Sequence, residues 1–271
     1  MRLTSALRRR IAAGFLACAT IAVACVDMSA PKGAASISPL QLPSPFVVRG
    51  DTMRDSAGNV APVTVTSYTA GGVPIADFPF ETFVLDTMLR AHFTLTHLLI
   101  GDKLGTVTTV GQASGVQTLT VNVPVTVRPT TLLLGKTPDT LFAPVGSDSA
   151  TSVGRSILPT IVKGVGDTTV QGVIVRYRIT RTLESSSPTV PSVYLSDGAG
   201  KPMTVDTTDA SGSANKRQVT VFTRLLTDQA LINGQKIDTV VVEATASYKG
   251  APLSGSPLTI FVPVKVTIAI R

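Results

Sequence analysis

The chain alternates apolar and polar positions with a period of two in several long stretches. In LTVNVPVTV, residues 119–127, Leu119, Val121, Val123, Val125 and Val127 point one way. Thr120, Asn122, Pro124 and Thr126 point the other. In VIVRYRIT, residues 173–180, Val173, Val175, Tyr177 and Ile179 alternate with Ile174, Arg176, Arg178 and Thr180. Near the end, LTIFVPVKVTIAI puts Leu258, Ile260, Val262, Val264, Val266, Ile268 and Ile270 on one face. A two-residue period carried by β-branched side chains predicts half-buried strands, because successive side chains of a strand leave opposite faces. Pro124 and Pro263 sit on the outward faces, and proline cannot donate to a ladder, so edge strands are predicted there.

Turn clusters punctuate the strands: RDSAGN, TAGG, SDGAGK, TTDASGSAN and NGQ. No segment sustains a helical period. The pattern predicts an all-β chain built of antiparallel sandwiches. RPTT, residues 128–131, interrupts the strand pattern and sets the division between a unit at 46–129 and a second at 132–271. The second exceeds the roughly 100 residues of one sandwich, and the surplus is assigned to loops such as TLESSSPTVPS. Residues 25–45, which include MSAPKGAASISPLQLPSP, are small, polar and proline-rich, and they read as a flexible tether.

The N-terminus has the grammar of an export signal. Arg2, Arg8, Arg9 and Arg10 form a basic head without an acid, and residues 11–26 are an apolar run of 16. That run is shorter than the roughly 20 residues of a membrane-spanning helix. Ala22-Val23-Ala24 satisfies the small-x-small rule and predicts cleavage after Ala24, giving a leader of residues 1–24. The segment resembles the lipobox of bacterial lipoproteins, with Ala22 where most of them carry Leu or Val. That resemblance implies a lipid on Cys25, the new N-terminus. Ordinary cleavage would instead leave an exposed, unpaired thiol in an oxidising compartment. Retention of the segment as an uncleaved anchor is a third route to the membrane. The other cysteine, Cys18, lies inside the leader, so no internal disulfide is expected. Loss of four arginines takes the net charge from +7 to +3, which removes most of the basic character that would otherwise suggest nucleic acid.

RDSAGNVAPVTVTSYTAGGVPI followed by GQASGVQTLTVNVPVTV resembles the bacterial Ig-like modules of surface and secreted proteins. So does VDTTDASGSANKRQVTV followed by DTVVVEATASYKGAPLSGSPLTIFVPV. The resemblance implies Ig-like sandwiches on an envelope protein of the outer membrane or cell surface, and it carries no catalytic residues.

Candidate chemistry is sparse. His92 and His97, the two histidines, would lie on opposite faces of one strand and share no metal. Gly135-Lys136-Thr137 lacks the earlier glycine and the following helix of a phosphate loop. Ser213-Ala214-Asn215-Lys216 fits Ser-x-x-Lys but falls in a turn, and Gly-x-Ser-x-Gly does not occur. Asp197, Asp206 and Asp209 lie close in sequence and are candidates for calcium, although Asp and Gly belong in turns for backbone reasons alone. Arg176, Arg178, Arg181, Lys216 and Arg217 could form a basic face, but there is no Trp and there are only four Tyr to stack bases or sugars. The expectation is a non-catalytic, membrane-anchored envelope protein for adhesion, spacing or partner binding, with no cofactor. The alternative is an envelope enzyme with a dispersed pair of carboxylates for glycan hydrolysis.

Overall fold

The computed structural model describes residues 34–113, 119–145, 156–183, 185, 187, 189–226 and 235–268. Their elements are strands and two short 3-10 turns, so the all-β expectation is met. The described residues fall into two compact units, one of 34–38, 65–80 and 112–113, the other of 39–64, 81–111 and everything from 119 onward.

The smaller unit holds three two-residue strands, β1 (Ser36–Ile37), β3 (Ser67–Tyr68) and β4 (Pro74–Ile75), in the antiparallel order β1-β3-β4. Its turn is closed by the Thr69 carbonyl and hydroxyl, with Gly72 at a φ of 76° that suits glycine. Ser36 and Ile37 belong to the stretch that the sequence reads as tether, yet they are paired to Tyr68 and Ser67. In the other unit, Leu40 from the same stretch is buried.

The larger unit begins with β2 (Val47–Val48), all but the first residue of β5 (Phe80–Leu85), the hairpin β6 (Ala91–Phe93) and β7 (Leu99–Gly101), then all but the last two residues of β8 (Gly105–Ala113), and β9 (Leu119–Thr126). Four of these form a sheet in the order β2-β9-β8-β5. The chain continues through β10 (Pro129–Leu134), β11 (Leu141–Val145), β12 (Ser156–Ile157), β13 (Thr160–Gly164), β14 (Ile174–Arg181), β15 (Val193–Ser196) and β16 (Val205–Thr207). Last come β17 (Ser213–Ala214), β18 (Gln218–Val221), β19 (Gln235–Thr245), β20 (Ser247–Tyr248), β21 (Ala251–Pro252) and β22 (Leu258–Ile268). A five-stranded sheet runs β11-β22-β19-β14-β16. Two three-stranded sheets, β10-β13-β17 and β12-β18-β15, supply the opposing layer.

One buried cluster fills the space between the layers. Val175, Tyr177, Val240, Val242, Ile260, Val262 and Val264 come from the five-stranded sheet, and Leu132, Val162, Leu195, Val219 and Val221 from the others. Phe46 and Val48 join the same cluster. These are the inward positions of the period-two pattern: Val173, Val175 and Tyr177 are buried while Arg176, Arg178 and Thr180 are exposed. Burying such side chains is worth about 1.5–3 kcal/mol each relative to leaving them exposed.

The prolines correct the edge-strand expectation. β9 lies between β2 and β8, and β22 between β11 and β19, so both strands are central. Each has one parallel neighbour, and that pairing begins one residue after the proline. Val125 faces Val47, and Val264 faces Leu141. Each proline therefore stands just before the second ladder starts, where one side of the strand is still unpaired. Pro124 is buried rather than outward-facing.

A polar link spans the core at Tyr177. Its hydroxyl donates to the Ala214 carbonyl at 3.2 Å and meets the Thr160 hydroxyl at 2.7 Å, and burial pushes its pKa up. Tyr177→Phe leaves the Thr160 hydroxyl and the Ala214 carbonyl with one partner fewer and is expected to cost about 1–2 kcal/mol. Urea unfolding of the variant beside the native chain measures it.

Candidate functional site

Two turns meet at the most elaborate polar cluster of the larger unit. The first turn is R54-D-S-A-G-N59. Asp55 Oδ1 accepts from the backbone N–H of Ala57 and of Asn59, both at 2.9 Å, and Gly58 takes a φ of +91°. This is the Asx-type closure that explains Asp at the first position and Gly near the last. The second turn joins β20 to β21 across two residues, Lys249 and Gly250, both at positive φ (54° and 75°). That backbone matches the twist of a tight hairpin, but Lys249 adopts it at a steric cost that Asn or Gly would avoid.

Asp51 joins the two turns. Arg54 grips its carboxylate with both arms of the guanidinium, Nη2 to Oδ1 at 3.1 Å and Nε to Oδ2 at 3.3 Å. Arg54 also donates to the Gly58 carbonyl at 3.0 Å. From the hairpin, Lys249 Nζ lies 2.8 Å from Oδ2, and the Tyr248 hydroxyl donates to the same oxygen. The Thr52 N–H adds a fourth donor at 2.9 Å. Burial alone would raise the Asp51 pKa, but the bonds from Arg54, Lys249, Tyr248 and Thr52 outweigh it and hold the carboxyl well below the usual range. Burial and the Asp51 charge push the Tyr248 hydroxyl the other way, upward.

The turns approach at backbone distance. A Cβ on Gly58 would stand 2.2 Å from the Gly250 nitrogen and 2.3 Å from the Lys249 carbonyl carbon. Beside them opens a cleft of about 430 Å³, lined among others by Phe46, Arg54, Arg176, Glu243, Tyr248 and Lys249. Phe46 and Tyr248 form its aromatic wall, with ring centroids 6.4 Å apart. Glu243 is held by Arg178 at 2.6 Å. An acid already ionised far below neutrality and a phenol held protonated are unsuited to exchange a proton at neutral pH. The cluster instead ties residues 46–59 to the β20–β21 hairpin.

The residues singled out from sequence are placed as follows. Asp197 and Asp209 each close their own turn: Asp197 Oδ1 accepts from Ala199 and Lys201, Asp209 Oδ1 from Ser211 and Ser213. The Ser211 hydroxyl and those N–H groups hold Asp209 below the usual range. Asp206 is buried, accepting from Thr207 at 2.8 Å and Lys216 at 2.7 Å, with the Arg217 guanidinium 4.0 Å away. The three therefore serve separate backbone tasks. Among the described residues no three His, Cys, Asp or Glu side chains group as metal ligands. Ala24 and Cys25 lie outside the described residues.

The histidines do not share one strand. His92 is in β6, 2.8 Å from Asp102, while His97 sits at φ +59° in the turn before β7, its Nδ1 3.2 Å from the Thr82 hydroxyl. Of the basic face, Arg178 and Arg181 pair with Glu243 and Asp238 on the adjacent strand, and Arg217 is buried. The Asp51 cluster escaped the sequence reading because Asp51 and Tyr248 lie 197 positions apart. The only local signals are the two turn motifs, RDSAGN and YKGA.

No family model and no curated protein matches this chain. Among solved structures, it is similar to domains 4 and 5 of the S-layer protein SbsC at 13% identity, over 87% of this chain and 100% of that one, with a TM-score of 0.31. It is similar to the adhesin InvE of Yersinia pseudotuberculosis at 15% identity, over 87% of this chain and 58% of that one, with a TM-score of 0.29. The Escherichia coli adhesin FdeC matches at 13% identity, over 86% and 64% of the two chains, with a TM-score of 0.28. Likeness at this level transfers none of these proteins' properties to this chain.

Proposed function

We propose that this chain is an exported, non-catalytic cell-envelope protein. A lipid on Cys25 holds it at a membrane, and it displays two Ig-like sandwiches, 46–129 and 132–271, for adhesion, spacing or partner binding. The anchor is supported by the basic head, the short apolar run and the small residues that end at Cys25. The non-catalytic reading rests on one observation: the two carboxylates that line the cleft, Asp55 and Glu243, are already engaged, Asp55 by the N–H groups of its own turn and Glu243 by Arg178.

The enzyme alternative needs a carboxylic acid whose pKa is raised, so that it can protonate a leaving group. Among the described residues, the carboxyls with displaced ionisation are Asp51, Asp55, Asp86 and Asp209, and all four are displaced downward. Backbone or side-chain donors hold each of them in its charged form, the opposite of what a general acid requires.

The test is fractionation of cells producing the native chain or Cys25→Ser. The native protein is expected in the membrane fraction and released by detergent, and the variant in the soluble envelope fraction. A variant that stays with the membrane as firmly as the native chain overturns the lipid anchor.

A further inference from the structure

Among the described residues, the outer strands of the larger unit's three- to five-stranded sheets are protected in different ways, with one exception. β2, β12 and β17 have two residues each, and β16 has three. β11 contains Pro144. The outer side of β10 is taken by Ser254, which accepts from Leu132 N–H and donates to the Thr130 carbonyl. β15 is covered by the chain at 202–203, through the Ser196–Pro202 bridge and the Met203 N–H on Leu195. β5, with the sequence FETFVL, ends the β2-β9-β8-β5 sheet and has no proline, glycine or lysine. Among the described residues, no isolated bridge reaches residues 81–85. Long apolar outer strands without such protection are templates for another strand.

The two faces of β5 differ. The Thr82 hydroxyl meets His97, and Thr82 and Val84 are half-buried, while Glu81, Phe83 and Leu85 are exposed. Phe83 is 41% exposed and Leu85 61%. Beyond Leu85 the apolar surface continues through Met88, Leu89 and Leu104, exposed by 60%, 69% and 44%. Lys103 belongs to this end, with its ammonium on the Met88 carbonyl at 3.2 Å. One strand thus carries an acid at its start and an apolar end with a cation beside it.

That arrangement complements itself under a two-fold axis. We propose that β5 is the seam of a homodimer, pairing antiparallel with β5 of a second copy. Directly opposed residues of an antiparallel pair share a face, so the outward set Glu81, Phe83 and Leu85 must meet the same set. Centring the pair on Phe83 sets the two phenyl rings against each other and each Glu81 against Leu85 of the other copy. Glu81 then reaches the end that carries Lys103, twice over. The pairing extends the four-stranded sheet to eight strands and covers both unprotected edges at once.

Sedimentation velocity on the purified full chain tests this, in mild detergent so that the N-terminal apolar run does not itself associate. Over about 1–100 μM the native chain is expected to pass from monomer to dimer. Phe83→Lys should remain monomeric with an unchanged circular-dichroism spectrum. Glu81→Lys and Lys103→Glu should each weaken the dimer by roughly threefold to tenfold, the scale of exposed charge pairs present twice in a symmetric seam. The double variant should recover it, which a loss of folding cannot imitate. A native chain that stays monomeric throughout overturns the proposal. So does a dimer that survives Phe83→Lys, or a charge swap that fails to restore association.

Discussion

Asp51→Asn is expected to destabilise the protein by about 2–4 kcal/mol at neutral pH, because it removes the charged acceptor shared by Arg54, Tyr248 and Lys249. The side-chain exposures, 14% for Asp51, 24% for Arg54 and 44% for Lys249, apportion the effect. The lysine is screened by water, and its bond contributes little. The loss falls mainly on the two-armed grip of Arg54 and on the Tyr248 hydroxyl, since the amide keeps one acceptor oxygen of the two and none of the charge. The sign of the pH dependence follows from the direction of the shift. The folded carboxyl titrates below its unfolded value, so its contribution is fully present above about pH 5 and fades as pH falls through the ordinary carboxylate range, near 3.9, toward the lower folded value. Urea unfolding should therefore show a wide gap between native and variant proteins at pH 7 and a narrower one at pH 3. An equal gap at both would mean that the carboxylate charge does not hold the cluster.

Gly58→Ala should be comparably severe, at about 2–4 kcal/mol, for a different reason. The new methyl group would meet backbone atoms of Lys249 and Gly250 at 2.2–2.3 Å, and neither can swing away as a side-chain tip would. The φ of +91° adds strain, since residues with a Cβ avoid that region. The two turns must separate, which carries Lys249 and Tyr248 away from Asp51. Gly58→Ala and Asp51→Asn therefore break the same link, and their combined cost should fall below the sum of the two. A double variant whose loss equals the sum would show that the turns and the carboxylate act independently.

The strands were legible because their period survives in one dimension. Val173, Val175 and Tyr177 alternate with exposed Arg176 and Arg178, and the even positions from Ile260 to Val266 are buried as the pattern predicts. Topology was less legible. Pro124 and Pro263 announce a strand that lacks a partner on one side, and the sequence does not say that the partner begins one residue later. The tether composition of 34–45 hid short-range order, since two paired residues and one buried leucine leave almost no trace in a proline-rich stretch. His97 reads as a strand position because Phe93-Thr94-Leu95-Thr96-His97 alternates, but Thr94 closes a turn there instead, its hydroxyl accepting from the Leu98 N–H. The Asp51 cluster depends on contacts between distant positions. Only the glycines at 58 and 250 and the acids of the turns hint at it.

The acidic residues between 197 and 209 show how little closeness in sequence says about the backbone work of each. Asp197, Asp206 and Asp209 stand near one another in sequence, but each spends its oxygens on neighbouring N–H groups. Proximity along the chain was no guide to convergence in space.

The claim at the centre of this account, that an anchored chain displays these sandwiches at the envelope, is tested most directly by the intact mass of the native protein taken from the membrane fraction. The account predicts a chain that begins at Cys25 and carries the added mass of acyl groups. A chain that begins at Cys25 unmodified, or further along, and is recovered in soluble form would contradict it.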